Sequence, residues 1–149
     1  MMKIQKESLI NTYKLISLEN RHVTGEITYP LGSDATGILN YTANGFYFIH
    51  LMANNRPFHK ENNLLSGTLE EIERSYRSYF SYAGTFHIED NDIIHHVTYS
   101  SLPNWANTDQ RRTIKWNQKQ LMLSAKNVYI NNELVEPYVI WEPISTKSI

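Results

Sequence analysis

The chain has 149 residues and no cysteine, so disulfides, thiolate metal sites and a cysteine nucleophile are excluded together. It also lacks a charge of one sign, because 14 Lys and Arg stand against 15 Asp and Glu. A basic field that neutralises several phosphates is absent, and nucleic acid is not an expected partner. No run approaches the roughly 18 apolar residues of a membrane span. The N-terminal segment carries Lys3 and Lys6 and has no apolar stretch of signal-peptide length before Asn11. The expectation is therefore a cytoplasmic chain without membrane association. Internal repeats, low-complexity tracts and linkers are missing too, and a single domain over residues 1–149 follows. Neither a G-x-S-x-G elbow, a glycine-rich phosphate loop nor H-E-x-x-H occurs, and no cofactor is implied.

What is present is aromatic: 12% of the residues, ten of them tyrosine. Tyrosine and tryptophan combine an apolar body with a polar tip and suit strands that line a cavity. Asn11 to Glu19 alternates, with Tyr13 and Leu15 on one face and Thr12, Lys14 and Ile16 on the other. Gly37 to Thr42 reads as a strand, and Asn44-Gly45 follows it as a hairpin signal with φ > 0 at both positions. Phe46 to Met52 is apolar or aromatic on both faces apart from His50, which predicts cover on both sides by a helix, a loop or a second subunit, as in a homodimer. Residues 53–67 are loop-like. Thr68 and Glu71 form a capping box, and Leu69, Ile72, Tyr76 and Phe80 recur at helical spacing, predicting one helix near residues 68–79. That helix is expected to lie against the barrel or close one end.

Tyr82–Glu89, Asp92–Ser100, Asp109–Trp116, Leu121–Lys126 and Tyr138–Trp141 complete the strands, with Asp90-Asn91, Pro103-Asn104, Asn117-Gln118 and Asn131-Asn132 as turns. Consecutive hairpins without βαβ spacing predict an all-β fold, a closed antiparallel up-and-down β-barrel of about 8–10 strands.

Three constellations bear on chemistry. Ile93, His95, Val97 and Tyr99 share one strand face by alternation, so His95 points to the apolar side and His96 away. A histidine there is either a core residue held by the backbone or a ligand partner or acid–base group. Adjacent strand residues face opposite ways, so His95 and His96 do not chelate one ion and no metal is expected. Gln110, Arg112, Ile114 and Trp116 form a second inward face, on which Arg112 requires an anionic or hydrogen-bonding partner, a carboxylate of the protein or a carboxylate or phenolate of a ligand. The third is Ser100-Ser101-Leu102-Pro103-Asn104-Trp105, whose tryptophan either plugs a barrel end or packs on a ligand. Tyr41, Tyr82, His95, Tyr99, Trp105, Gln110 and Arg112 are the candidate ligand-binding residues, with His95 and Arg112 as the candidates for any catalysis.

On these residues the chain resembles the bacterial and fungal lipocalin-like domain family of small calycin-type barrels. The resemblance rests on Thr12-Tyr13-Lys14-Leu15, Tyr29-Pro30-Leu31-Gly32, Gly37 to Thr42 with Gly45, Tyr82 to Phe86, His95-His96-Val97, Pro103-Asn104-Trp105 and Gln110-Arg111-Arg112. It implies a barrel with a ligand-sized cavity. Two features depart from lipocalins proper: Asn11-Thr12-Tyr13 stands in place of Gly-x-Trp, making the plug a tyrosine, and Trp141-Glu142-Pro143 offers no arginine near the last strand's tryptophan.

Three functions fit this reading. The first is binding of a small apolar or aromatic molecule in the lumen. The second is an isomerase or cyclase acting on a polyketide- or terpenoid-like substrate, with His95 as acid or base and Arg112 stabilising negative charge. The third is a stress or interaction protein whose lumen is filled by its own side chains.

Overall fold

Tight turns and alternating faces set the topology of the computed structural model, which describes residues 3–144. Ten strands occur in chain order: β1 (Asn11–Arg21), β2 (Ile27–Thr28), β3 (Thr36–Tyr41), β4 (Phe46–Met52), β5 (Tyr79–Glu89), β6 (Asp92–Ser100), β7 (Asp109–Trp116), β8 (Leu121–Ser124), β9 (Val128–Ile130) and β10 (Glu133–Ile144). Eight of them, β1-β3-β4-β5-β6-β7-β8-β10, form an antiparallel meander that closes through the pairing of β1 with β10. Closure leaves no open edge in the barrel wall. The short β2 and β9 extend the ends of β1 and β10. Among the described residues no helix is long and apolar enough to cross a membrane.

One end is shut by a short helix, α1 (Lys6–Leu9), and by Tyr13. Leu9 and Tyr13 are fully buried, and the Tyr13 hydroxyl donates to the Leu9 carbonyl at 2.6 Å. Burial pushes this phenol up to about 12. Tyrosine thus plugs the end, with the Trp116 ring set edge-on to it and the two ring centres 6.4 Å apart. No helix was expected before Asn11, because one turn is too short to show periodicity.

The helix α2 (Leu69–Arg77) begins at the capping box: Glu71 N–H donates to Thr68 Oγ1 at 3.1 Å and Thr68 N–H to Glu71 Oε1 at 2.9 Å. It is shorter than expected. Phe80 belongs to β5, opposite Leu51, because a residue four beyond Tyr76 satisfies helix and strand spacing alike. The apolar stripe is not packed on the wall, as Leu69 is 87% exposed and no residue of α2 is buried.

The structure alters three further expectations. The β3–β4 connection is a three-residue loop with only Gly45 at positive φ, since Gly45 N–H donates to Thr42 O and Thr42 N–H to Phe46 O. That is a type I turn closed by a glycine bulge. No helix or loop among the described residues covers the outer face of β4, where Phe46, Phe48 and Met52 are exposed. Finally, β10 runs twelve residues, through Pro137 and Pro143, well beyond the Tyr138–Trp141 strand that the sequence pattern marks.

A bulge in β6 matters most for the site. Gly84 pairs with Val97 and Ala83 with Tyr99, leaving Thr98 as the extra residue. A Cβ at Gly84 would run into the His96 carbonyl oxygen, so only glycine admits this approach. Gly84→Ala is therefore expected to destabilise by about 1–3 kcal/mol, as overpacking does. Thermal melting reads this as a fall of about 2–4 °C per kcal/mol for this size; an unchanged midpoint contradicts the role given to Gly84.

Candidate functional site

Inward-facing residues divide the lumen in two. The half next to Tyr13 is filled. Tyr41 from β3, Tyr47 from β4, Phe86 from β5 and His95 from β6 pack there, with Tyr41–Phe86 ring centres 4.7 Å apart and Tyr47–His95 centres 4.3 Å apart. The other half is open, forming a cavity of about 540 Å³. That lies within the usual range of small-molecule pockets. Leu18, Leu51, Phe80, Leu123 and Val139 supply its apolar wall, while Tyr76 and Arg77 of α2 stand at its rim. The helix thus contributes to closing one end of the barrel, though only by its last turn.

Four of the residues singled out in the sequence line this cavity: Tyr82, Trp105, Gln110 and Arg112. Trp105 lies in a 3-10 turn, Pro103–Trp105, and sets its ring edge-on to Phe80 at 5.1 Å and to Tyr82 at 5.2 Å. It forms wall rather than plug. Arg112 is 8% exposed, its guanidinium 5.6 Å from the Trp105 ring centre and its Nη1–H donating to the Arg111 carbonyl at 2.8 Å. Among the described residues, none of the ion pairs involves Arg112. Burial raises the Tyr82 phenol, and the charge and hydrogen bond of Arg112 offset part of that rise. Gln110 donates to Thr108 Oγ1 at 3.1 Å, which fixes its amide at the rim of the Trp105 loop.

Tyr41 and His95 are inward but lie behind Tyr82, outside the cavity wall. They share a hydrogen bond of 2.8 Å between Tyr41 OH and His95 Nε2. His95 Nδ1 and Tyr47 OH have no protein partner. Burial, reinforced by the charges of Arg112 and then His96, holds His95 well below the usual histidine range, so its ring is neutral. An unfolded chain takes up a proton near pH 6.5 that the folded chain refuses. Stability from this residue is therefore complete above that pH and is lost as pH falls below it. His95→Gln should flatten the melting temperature against pH between about 6.5 and 5; an unchanged slope would assign the loss to other groups.

Tyr99 faces the opposite way from the expectation. It is 73% exposed on the outer surface, because the extra residue at Thr98 reverses the alternation after Val97. The outward direction of His96 agrees with the sequence pattern. What sequence pattern missed is Tyr47, which comes from a strand apolar on both faces, and the rim contributed by Tyr129 of β9.

A second concavity, about 640 Å³, lies outside the barrel between residues 53–59 and α2. Its polar groups are already engaged: Arg56 donates to Ser78 Oγ and the Ser75 carbonyl, and His59 bonds Ser75 Oγ. The lumen, with its unpaired buried cation, is the stronger candidate.

A curated protein of Aspergillus oryzae, the 4'-hydroxy-3'-methoxypropiophenone carrier protein ppsC, is 38% identical over 66 residues, which is 39% of this chain and 60% of that one. The chain thus spans about 60% of the length of that relative. The crystal structure of an uncharacterized protein from Bacteroides eggerthii superposes with a TM-score of 0.46 at 12% identity, over 90% of this chain and 98% of that one. The family profile of the lipocalin-like domain matches residues 10–144, from the first residue before β1 to the end of β10. The chain belongs to the lipocalin-like domain family.

Proposed function

We propose that this barrel binds a small aromatic molecule carrying a phenol or carboxylate, with the ring in the open half of the lumen and the acidic group on Arg112. One observation carries the reading: a buried guanidinium lines the cavity without a carboxylate partner among the described residues. A charge in that position is costly unless paired, and a planar guanidinium suits an oxyanion. Trp105, Phe80 and Tyr82 surround the same space with ring faces and edges. The A. oryzae relative, by its name a carrier of a hydroxyphenyl ketone, supports the same ligand class.

The second reading, isomerisation or cyclisation of a held substrate, draws on the neutral His95 beside Tyr41. Tyr82 separates that pair from the cavity, so carriage is the function the geometry supports best. Calorimetric titration with hydroxyphenyl ketones and aromatic carboxylic acids tests it. One ligand per chain, displaced by a second member of the class, is expected. Absence of saturable binding across both classes at millimolar concentration overturns the proposal.

A further inference from the structure

The outer face of β5, β6 and β7 carries a chain of charged and imidazole groups that the lumen does not use. Asp109 Oδ1 lies 2.7 Å from His96 Nδ1, His96 Nε2 lies 2.7 Å from His87 Nδ1, and His87 Nε2 lies 3.1 Å from Glu89 Oε2. Arg111 continues it, donating to Glu89 at 3.1 Å and to Asp92 at 2.8 Å. The register creates this arrangement: Thr85 is opposite His96 and His96 opposite Asp109, so His87 is diagonal to His96 on one face. Part of the network is structural, because Ile94 lies between His87 and Arg111 in the same row and is buried beneath them.

With both rings neutral the hydrogen count does not close, and it needs one cation between them, a proton or a metal ion. An ionised carboxylate only accepts, so His87 Nε2 and His96 Nδ1 must carry hydrogens for their bonds to Glu89 and Asp109. In neutral rings this leaves a lone pair on His87 Nδ1 and another on His96 Nε2. The ring planes are 22° apart and the centres 4.8 Å apart, so the two nitrogens sit nearly on the line joining them. Two lone pairs facing at 2.7 Å repel unless a proton or a metal ion lies between them. Glu89, Asp92 and Asp109 outnumber Arg111 here, and the local field favours a cation.

We propose that His87 and His96 are the protein ligands of a divalent transition-metal site, of the class taken by Zn²⁺ or Cu²⁺. The far nitrogen of each imidazole is already held by a carboxylate, the arrangement that orients metal-bound histidines and raises their basicity. Tetrahedral zinc with Zn–N of about 2.0–2.1 Å needs the nitrogens roughly 3.3 Å apart, a small rotation for two exposed side chains. Among the described residues no three His, Asp or Glu groups converge on one point, so water completes the coordination. The site is therefore an open, exchangeable one rather than a structural closed one. It differs from the His95–His96 pair, whose members face opposite sides of the wall.

The test is titration of the metal-free full-length protein with Zn²⁺ against a chromophoric chelator, at pH 7.5. One Zn²⁺ per chain is expected, lost in both His87→Ala and His96→Ala and retained in His59→Ala and His22→Ala. Asp109→Asn and Glu89→Gln should weaken binding about 10–100-fold, as loss of an outer partner does. Unchanged affinity in either His87→Ala or His96→Ala overturns the proposal, as does no binding at millimolar zinc. Because these residues lie outside the barrel, ligand titration of the same variants stays normal, which separates this site from the lumen.

Discussion

Trp141→Ala is expected to cost about 3–5 kcal/mol, the range for deleting a buried tryptophan, and to lower the melting temperature by about 2–4 °C for each kcal/mol. Trp141 is 1% exposed in the C-terminal half of β10, between Leu15 of β1 and Leu121 of β8. It therefore sits at the seam where the first and last strands close the barrel, and a cavity there weakens both pairings. The indole Nε1–H has no protein partner, so the residue contributes by packing and not by a hydrogen bond. Trp141→Phe removes that unsatisfied donor together with part of the volume and should cost far less than alanine. Chemical and thermal denaturation of the two variants measures the difference. Equal losses would mean that the seam depends on the indole nitrogen, against the packing account.

Arg112→Met is expected to act in opposite directions on stability and binding. In the free protein the guanidinium is buried with the Arg111 carbonyl, Tyr82 and the Trp105 ring as its company. Replacing a buried charge by an apolar side chain of similar length is commonly neutral or stabilising, by up to about 1–4 kcal/mol. The melting temperature of the empty barrel should therefore hold or rise. Affinity for an acidic aromatic ligand should fall, since a hydrogen bond to a charged group is worth about 1.5–3 kcal/mol, or roughly 10–150-fold. A residue kept at the expense of stability is a mark of function. If the variant instead unfolds while the remaining folded protein binds normally, Arg112 is structural and the ligand lies elsewhere.

How far the sequence anticipates this site depends on where its alternation is unbroken. From Gln110 to Trp116 the period of two runs without interruption, and Arg112 falls inward where the pattern puts it. In β6 the same rule fails after Val97, because one extra residue turns Tyr99 outward. The trace of that bulge in the sequence is Gly84, a glycine inside a strand, which marks a close backbone approach. A second shift, between Leu15 and Ser17, places Leu18 and Asn20 inward and Ile16 outside. Register between strands is a tertiary property, and for this reason the meeting of His87 with His96 was invisible along the chain. The division of the lumen into a filled and an open half is likewise set by how four aromatic rings pack, not by which faces they occupy.

The most direct test of the central claim is a double-mutant cycle built across the ligand. A hydroxyphenyl ketone and its O-methyl ether are each titrated into the native protein and into Arg112→Met, with intrinsic tryptophan fluorescence reporting on Trp105. The account predicts that the phenol binds the native protein at least about tenfold more tightly than the ether, and that Arg112→Met abolishes the difference. Equal affinity of phenol and ether for the native barrel, or a preference that survives in Arg112→Met, would contradict it.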